Sequence, residues 1–185
     1  MIINRLFKNN QFLITSIPIL KDIPIGLRSD GKFILNDGEL LIQYVSNGIL
    51  LKQFLLDASR KKRIIIAMKF IDFILCLDNR FTFELDPNNY LIDRSLSIKS
   101  VHLGIKDIII PLVRPEFKQI KIFCIYIIHP SINLEAHLVG SPLLKLSKFE
   151  NELLTAKDLH QLKEILFSYK QNAIFKRIKK YEQFF

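Results

Sequence analysis

Three features of the sequence predict an α+β fold. Short β-branched runs broken by Asp-Gly pairs open the chain, Ile64 to Leu77 is almost wholly apolar, and apolar stripes of helical period follow Pro115. The expected division is a small β-rich lobe over residues 1–48 and a mainly helical lobe over 49–185, together one compact unit. With 185 residues the chain is long enough for one ordinary domain or two small lobes sharing a core.

In the first lobe, Phe12–Ile19, Lys32–Leu35 and Glu39–Val45 have strand composition. Asp30-Gly31 and Asp37-Gly38 are hairpin signals, because Gly adopts the left-handed backbone that tight turns require. The pattern changes at Ser46-Asn47-Gly48. Leu51, Phe54 and Leu55 suit a turn or two of helix within Ile49–Leu56. A longer helix is expected from about Ser59 to Leu77, with Lys62, Lys69 and Asp72 on one narrow polar face.

From Thr82 to Asp93 the residues read as a short strand, a Pro-Asn turn at Pro87-Asn88 and a second strand. Ser97–Leu103 pairs with that strand and ends at Gly104. Pro115 suits the first turn of a helix running to Ile128, where His129-Pro130 stops it. Ser131–Leu138 reads as a short helix closed by Gly140. Ser147 and Thr155 are expected N-caps, with Glu150 and Asp158 three residues on. Leu159, Leu162, Ile165, Leu166 and Tyr169 then form one apolar stripe.

Composition narrows the classes. The apolar fraction of 49% suits a folded domain. The 27 Lys and Arg against 18 Asp and Glu leave a charge of +9, which favours acidic partners: nucleic acid, anionic lipid or an acidic protein face. The densest basic clusters are Arg60–Arg63 and Lys176, Arg177, Lys179 and Lys180. Cys76 and Cys124 sit in apolar runs and read as small buried side chains, which makes a reducing compartment the default. No apolar run reaches the roughly 20 residues of a spanning helix.

The order of elements resembles a protein kinase from its hinge to its metal-binding turn. Leu85-Asp86-Pro87-Asn88-Asn89 stands where a kinase has L-K-P-E-N, Tyr90–Asp93 where the next strand runs, and His102-Leu103-Gly104 where D-F-G would be. Thr82-Phe83-Glu84 replaces H-R-D, so Glu84 occupies the place of the catalytic base with a carboxylate that reaches about one methylene further. Asn89 keeps half of a metal site. His102 replaces the magnesium-holding Asp, and imidazole is a poor magnesium ligand. No two of the six glycines have G-x-G spacing, so no phosphate-cradling loop can be written. Ile17–Lys21 faintly matches V-A-I-K, but too few residues follow to hold the Glu-bearing helix such a Lys needs. Glu84, Asn89 and His102 are therefore degenerate kinase positions: Glu84 reads as a hairpin carboxylate, Asn89 as a turn-stabilising side chain and His102 as a packed histidine. No catalytic, cofactor or metal site follows from them.

From about Leu40 to Leu166 the chain resembles the cytosolic pseudokinase-like domain of the EssB/YukC family, membrane components of type VII secretion systems in Firmicutes. The resemblance rests on the apolar helical stretch Leu51–Leu77 after a Gly hinge, the strand and turn Phe81–Asp93, and the two amphipathic helices within Gly140–Leu166. The chain departs from the family at Arg94-Ser95, where a Gly near Asp93–Ser97 is usual, and this leaves the turn type open. The resemblance implies a protein-kinase-like fold without catalysis, serving as a scaffold. It implies partners among the other secretion components: cytosolic domains of the motor ATPase, possible secreted substrates and a possible homodimer. It also implies a single-pass parent protein with its span after residue 185, so that Lys176, Arg177, Lys179 and Lys180 would be membrane-proximal on the cytoplasmic side.

The alternative is a basic nucleic-acid-binding domain. The charge supports it. The aromatic distribution opposes it, because Phe70, Phe73 and Phe123 lie in apolar runs and read as core rather than as stacking platforms. The expectation is therefore no nucleic acid and no cofactor.

Overall fold

The computed structural model describes residues 2–8, 30–36, 39–45, 48–101, 103–105, 113–142 and 146–182, with side chains over 48–101, 103, 113–142 and 146–171. The expected strand Phe12–Ile19, Lys21 and His102 lie outside the described residues. The chain parts into two compact units. Met1–Asp57 joins Cys76–Pro115 in the first, and Ala58–Leu75 joins Glu116–Phe185 in the second.

Among the described residues the first unit contains three small antiparallel sheets. Strands β1 (Ile2–Lys8), β2 (Asp30–Asn36) and β3 (Glu39–Val45) pair in the order β1-β3-β2. Asn36 lies opposite Glu39, so only Asp37-Gly38 separates β2 from β3, as the hairpin signal required. Asp30-Gly31 makes no turn. It opens β2 opposite Val45 and Tyr44, because the cross-strand ladder runs through it.

Strand β4 (Ile49–Leu50) pairs with β6 (Tyr90–Ile92), which in turn pairs with β7 (Ile98–Ser100). Ile49 and Leu50 are thus strand rather than helix, and helix α1 (Leu51–Asp57) begins only after them. Close approach of β4 to β6 explains why Gly stands at residue 48. A Cβ there would lie 2.9 Å from the carbonyl oxygen of Ile92. Strand β5 (Phe81–Thr82) pairs with β8 (Gly104–Ile105), so Gly104 opens a strand instead of closing the hairpin. Leu51, Leu55, Phe83, Tyr90, Leu91 and Val101 are at most 1% exposed and centre this core.

The hairpin between β6 and β7 is tied by Asp93. Its Oδ1 accepts from the Ser95 N–H at 2.9 Å, the Ser95 hydroxyl at 2.6 Å and the Ser97 N–H at 3.0 Å. Leu96 takes φ +62, a backbone region that glycine occupies without cost. The left-handed position thus lies one residue beyond Arg94-Ser95.

The second unit is helical. Helix α2 (Arg60–Cys76) matches the long helix expected from the sequence. Helix α3 (Phe117–Ile128) starts after Glu116, whose N–H donates to the Gln119 side chain at 2.9 Å. Pro115 therefore precedes the helix instead of forming its first turn. Helix α4 (Leu134–Leu138) is capped by Asn133, whose side chain accepts from the Ala136 N–H, and Gly140 follows with φ +109. Helix α5 (Lys148–Thr155) carries the expected box: the Ser147 N–H donates to Glu150 Oε2 at 2.8 Å, and the Glu150 N–H to Ser147 Oγ at 3.3 Å. Helix α6 (Leu159–Glu182) is capped by Asp158, whose Oδ1 accepts from the Gln161 N–H at 2.8 Å. Thr155 instead ends α5, its hydroxyl bonded to the Glu152 carbonyl, because Lys157 and Asp158 fall between the two helices.

Packing in this unit centres on aromatic rings. Phe70 and Phe123 meet at 4.8 Å between centroids, and Phe70 lies 6.2 Å from Phe73. All three are buried, as their apolar runs implied. Leu162 and Leu166 of the α6 stripe are fully buried. Lys121 reaches the end of α5, donating to the carbonyls of Leu154 at 2.7 Å and Ala156 at 3.1 Å, which satisfies helix-end acceptors. Cys124 is buried, and burial pushes its thiol up to about 12. Cys76 corrects the expectation of two buried cysteines: it is exposed, at the last turn of α2.

Candidate interaction surface

The turn that carries the kinase resemblance belongs to the first unit. Asp86 shapes it, its Oδ1 accepting from the Asn88 N–H at 2.8 Å and the Asn88 side chain at 2.9 Å. Pro87–Asn89 forms one 3-10 turn, with Pro at the start where its missing N–H costs nothing. Asn89 is fully buried. Its N–H donates to the Asp86 carbonyl at 2.9 Å, and its carbonyl accepts from Val101 at 2.8 Å. Glu84 is half-buried, and its carbonyl accepts from the Tyr90 hydroxyl at 2.5 Å. Burial first, with Glu84 and Asp86 adding to it, holds the Tyr90 phenol well above its ordinary range, so it stays a donor. Among the described residues no group of three or more His, Cys, Asp or Glu side chains converges as metal ligands would.

Beside this turn, Arg114 donates to Asn79 Oδ1 at 2.7 Å and to the Leu77 carbonyl at 3.4 Å, with its guanidinium 5.7 Å from the Phe83 ring centroid. Arg80 pairs with Asp78 at 3.2 Å, and hydrogen bonds from its backbone and side chain hold the Asp78 carboxyl below its usual range.

The second unit presents a different chemistry. Arg60, at the start of α2, donates to Glu150 Oε1 at 3.4 Å and lies 5.8 Å from the Tyr169 ring centroid. Tyr169 stacks on Phe149 at 3.8 Å. Farther along α2, Asp72 pairs with Lys163 of α6 at 2.5 Å. Arg60 meets residue 169 while Asp72 meets residue 163, so α2 and α6 run antiparallel. His129 has Nδ1 3.8 Å from Glu150 Oε1. Sequence spacing gave no signal of this cluster, since Arg60 and Glu150 are 90 residues apart. Lys176, Arg177, Lys179 and Lys180 fall on the α6 backbone, and their side chains lie outside the described residues. Among the described residues no helix is long and apolar enough to cross a membrane.

Residues 35–184 match the family model described as WXG100 protein secretion system (Wss), protein YukC. The chain belongs to the EssB/YukC family. It is therefore a member of a type VII secretion component family, as its sequence resemblance implied. Its fold is similar to that of the EssB cytoplasmic fragment of Geobacillus thermodenitrificans, with a TM-score of 0.77 at 16% identity over 96% of this chain and 88% of that one. The EssB cytoplasmic fragment of Staphylococcus aureus matches with a TM-score of 0.72 at 14% identity, over 90% of this chain and 98% of that one. No curated protein matches the chain. The EssB cytoplasmic fold thus accounts for the mixed architecture of small antiparallel sheets and helices.

Proposed function

We propose that this domain is a non-catalytic, kinase-like scaffold of a type VII secretion system, which docks other components of the machine through its surface. A small lobe over residues 1–48 and a larger one over 49–185 correspond, in this reading, to the two kinase lobes. The observation that supports it most directly is the complete burial of Asn89. A metal-holding amide must face a cleft, whereas this one is enclosed in the core of a turn. The sequence adds the missing G-x-G loop and the replacement of H-R-D and D-F-G residues at Glu84 and His102.

In this reading the domain works at the cytoplasmic face of the membrane as part of a single-pass protein, with Lys176, Arg177, Lys179 and Lys180 nearest the bilayer. Its partners are the cytosolic parts of the motor ATPase, secreted substrates or a second copy. Thermal melting with and without ATP and magnesium tests the central claim. No change in melting temperature is expected, and a rise of several degrees would overturn it.

The charge of +9 favours nucleic-acid binding as a second reading, against which stand the buried rings of Phe70, Phe73 and Phe123. Binding to DNA that survives about 200 mM salt would establish that reading instead.

A further inference from the structure

We infer that the face shared by α2 and α6 in the second unit docks an acidic protein segment bearing apolar anchor side chains. The inference deepens the scaffold reading and rests on it.

Lys61, Ile65, Met68, Asp72 and Leu75 recur every three or four residues along α2 and so share one side of that helix, with Lys62 and Lys69 at its margin. On α6, Lys163, Phe167 and Lys170 recur with the same spacing. The Asp72–Lys163 ion pair joins the two sides into one surface. Lys61, Lys62 and Lys69 are exposed, and Lys170 is half-buried. Among the described residues none of these four has a carboxylate partner in an ion pair.

Between the lysines lies apolar surface. Phe167 is 46% exposed and Leu75 38%, while Ile65 and Met68 are each partly open. A half-exposed Phe ring and Leu side chain on helices that also carry unpaired lysines match a segment whose apolar residues are flanked by Asp or Glu. Charge complementarity identifies the occupant. A phosphate polyanion, in nucleic acid or lipid headgroups, gains only from the lysines. It leaves Phe167 and Leu75 unused, whereas an acidic segment with apolar side chains engages both. A second copy would bring lysines against lysines.

The test uses the full chain and a fluorescent synthetic helical peptide with Leu at every third and fourth position and Glu between. Anisotropy is read at about 150 mM salt. Phe167→Ser and Lys69→Glu are each expected to weaken binding about fivefold or more. Lys118→Glu, at an exposed lysine of α3, is expected to change it by less than about twofold. Lys69 and Phe167 are exposed, so both variants are expected to keep the native circular dichroism and melting temperature. If Phe167→Ser unfolds, Lys69→Glu decides. Equal loss from Lys118→Glu overturns the inference, as does equal binding of a peptide with Ser in place of Leu. Binding of a single-stranded DNA oligonucleotide or of phosphatidylglycerol vesicles that Lys69→Glu abolishes assigns the face to phosphate and also overturns it. The nucleotide melting experiment reads the scaffold claim separately. Silence toward ATP with no effect of Phe167→Ser removes this face and leaves the scaffold standing.

Discussion

The Arg60 guanidinium lies 3.4 Å from Glu150, a carboxylate whose side chain is only 5% exposed. Arg60 begins α2 and Glu150 occupies the first turn of α5, so one ion pair joins two helices distant in sequence. The same carboxylate accepts the Ser147 N–H, which makes it a cap as well as a charge partner. Removing it leaves the Ser147 backbone donor without an acceptor, and leaves Arg60 only its 3.5 Å contact with Ser147 Oγ as an acceptor. Glu150→Ala is expected to cost about 2 kcal/mol, read as a lower urea midpoint at pH 7. Glu150→Gln keeps an acceptor for Ser147 and is expected to cost about half as much. Equal cost for both would mean that the cap contributes nothing.

Gly48 faces the backbone of β6. An alanine Cβ would meet the Ile92 carbonyl oxygen at 2.9 Å and the Leu91 Cβ at 3.2 Å. A backbone atom cannot rotate away as a flexible side chain can. Gly48→Ala is therefore expected to destabilise by about 1–3 kcal/mol, and a circular dichroism melt is the measurement. An unchanged melting temperature would show that β4 does not lie so close to β6.

Asp93 links hairpin stability to acid. Partial burial raises its carboxyl, but the hydrogen bonds from the Ser95 hydroxyl and from the Ser97 and Ser95 N–H groups outweigh this, with Lys99 helping, and the net shift is downward. A carboxyl lowered in the folded state contributes stability above its unfolded value of about 3.9, and the contribution is lost as pH falls through the folded value. Wild type is thus expected to lose more stability than Asp93→Asn between pH 6 and pH 3, so the two curves converge in acid. Parallel curves in urea titrations at several pH values would refute this role.

Leu96 tests the backbone of the same turn. Its φ of +62 is costly for a side chain and worst for a β-branched one. Leu96→Val is expected to destabilise by about 1–2 kcal/mol. Leu96→Gly is expected to stay within about 1 kcal/mol of wild type, because relief of the left-handed backbone offsets the extra freedom of the unfolded chain. Melting temperatures of the two variants give the comparison, and a valine variant as stable as the glycine one would contradict it.

Local grammar made much of the fold legible. The two-residue connection between β2 and β3, the length of α2, the Pro-Asn turn and the Ser147–Glu150 box all follow from signals within a few residues of one another. Thr155 and Asp158 are both good caps, and only the observed break between α5 and α6 selects Asp158. Strands of two residues, such as β4 and β8, are too short for alternation to reveal.

By itself the sequence determined the longer helices and the paired strands around Asp93, which of their faces are apolar, and that a G-x-G phosphate loop cannot be written. Those properties depend on neighbours within a turn or two of backbone. The tertiary structure alone decided that Glu150 is the partner of Arg60, that Asn89 is enclosed, and that Asp72 and Lys163 join two lysine-bearing helix faces into one surface. Each of these depends on how packing brings distant residues together, and helical period places a side chain on a face without naming what lies opposite it.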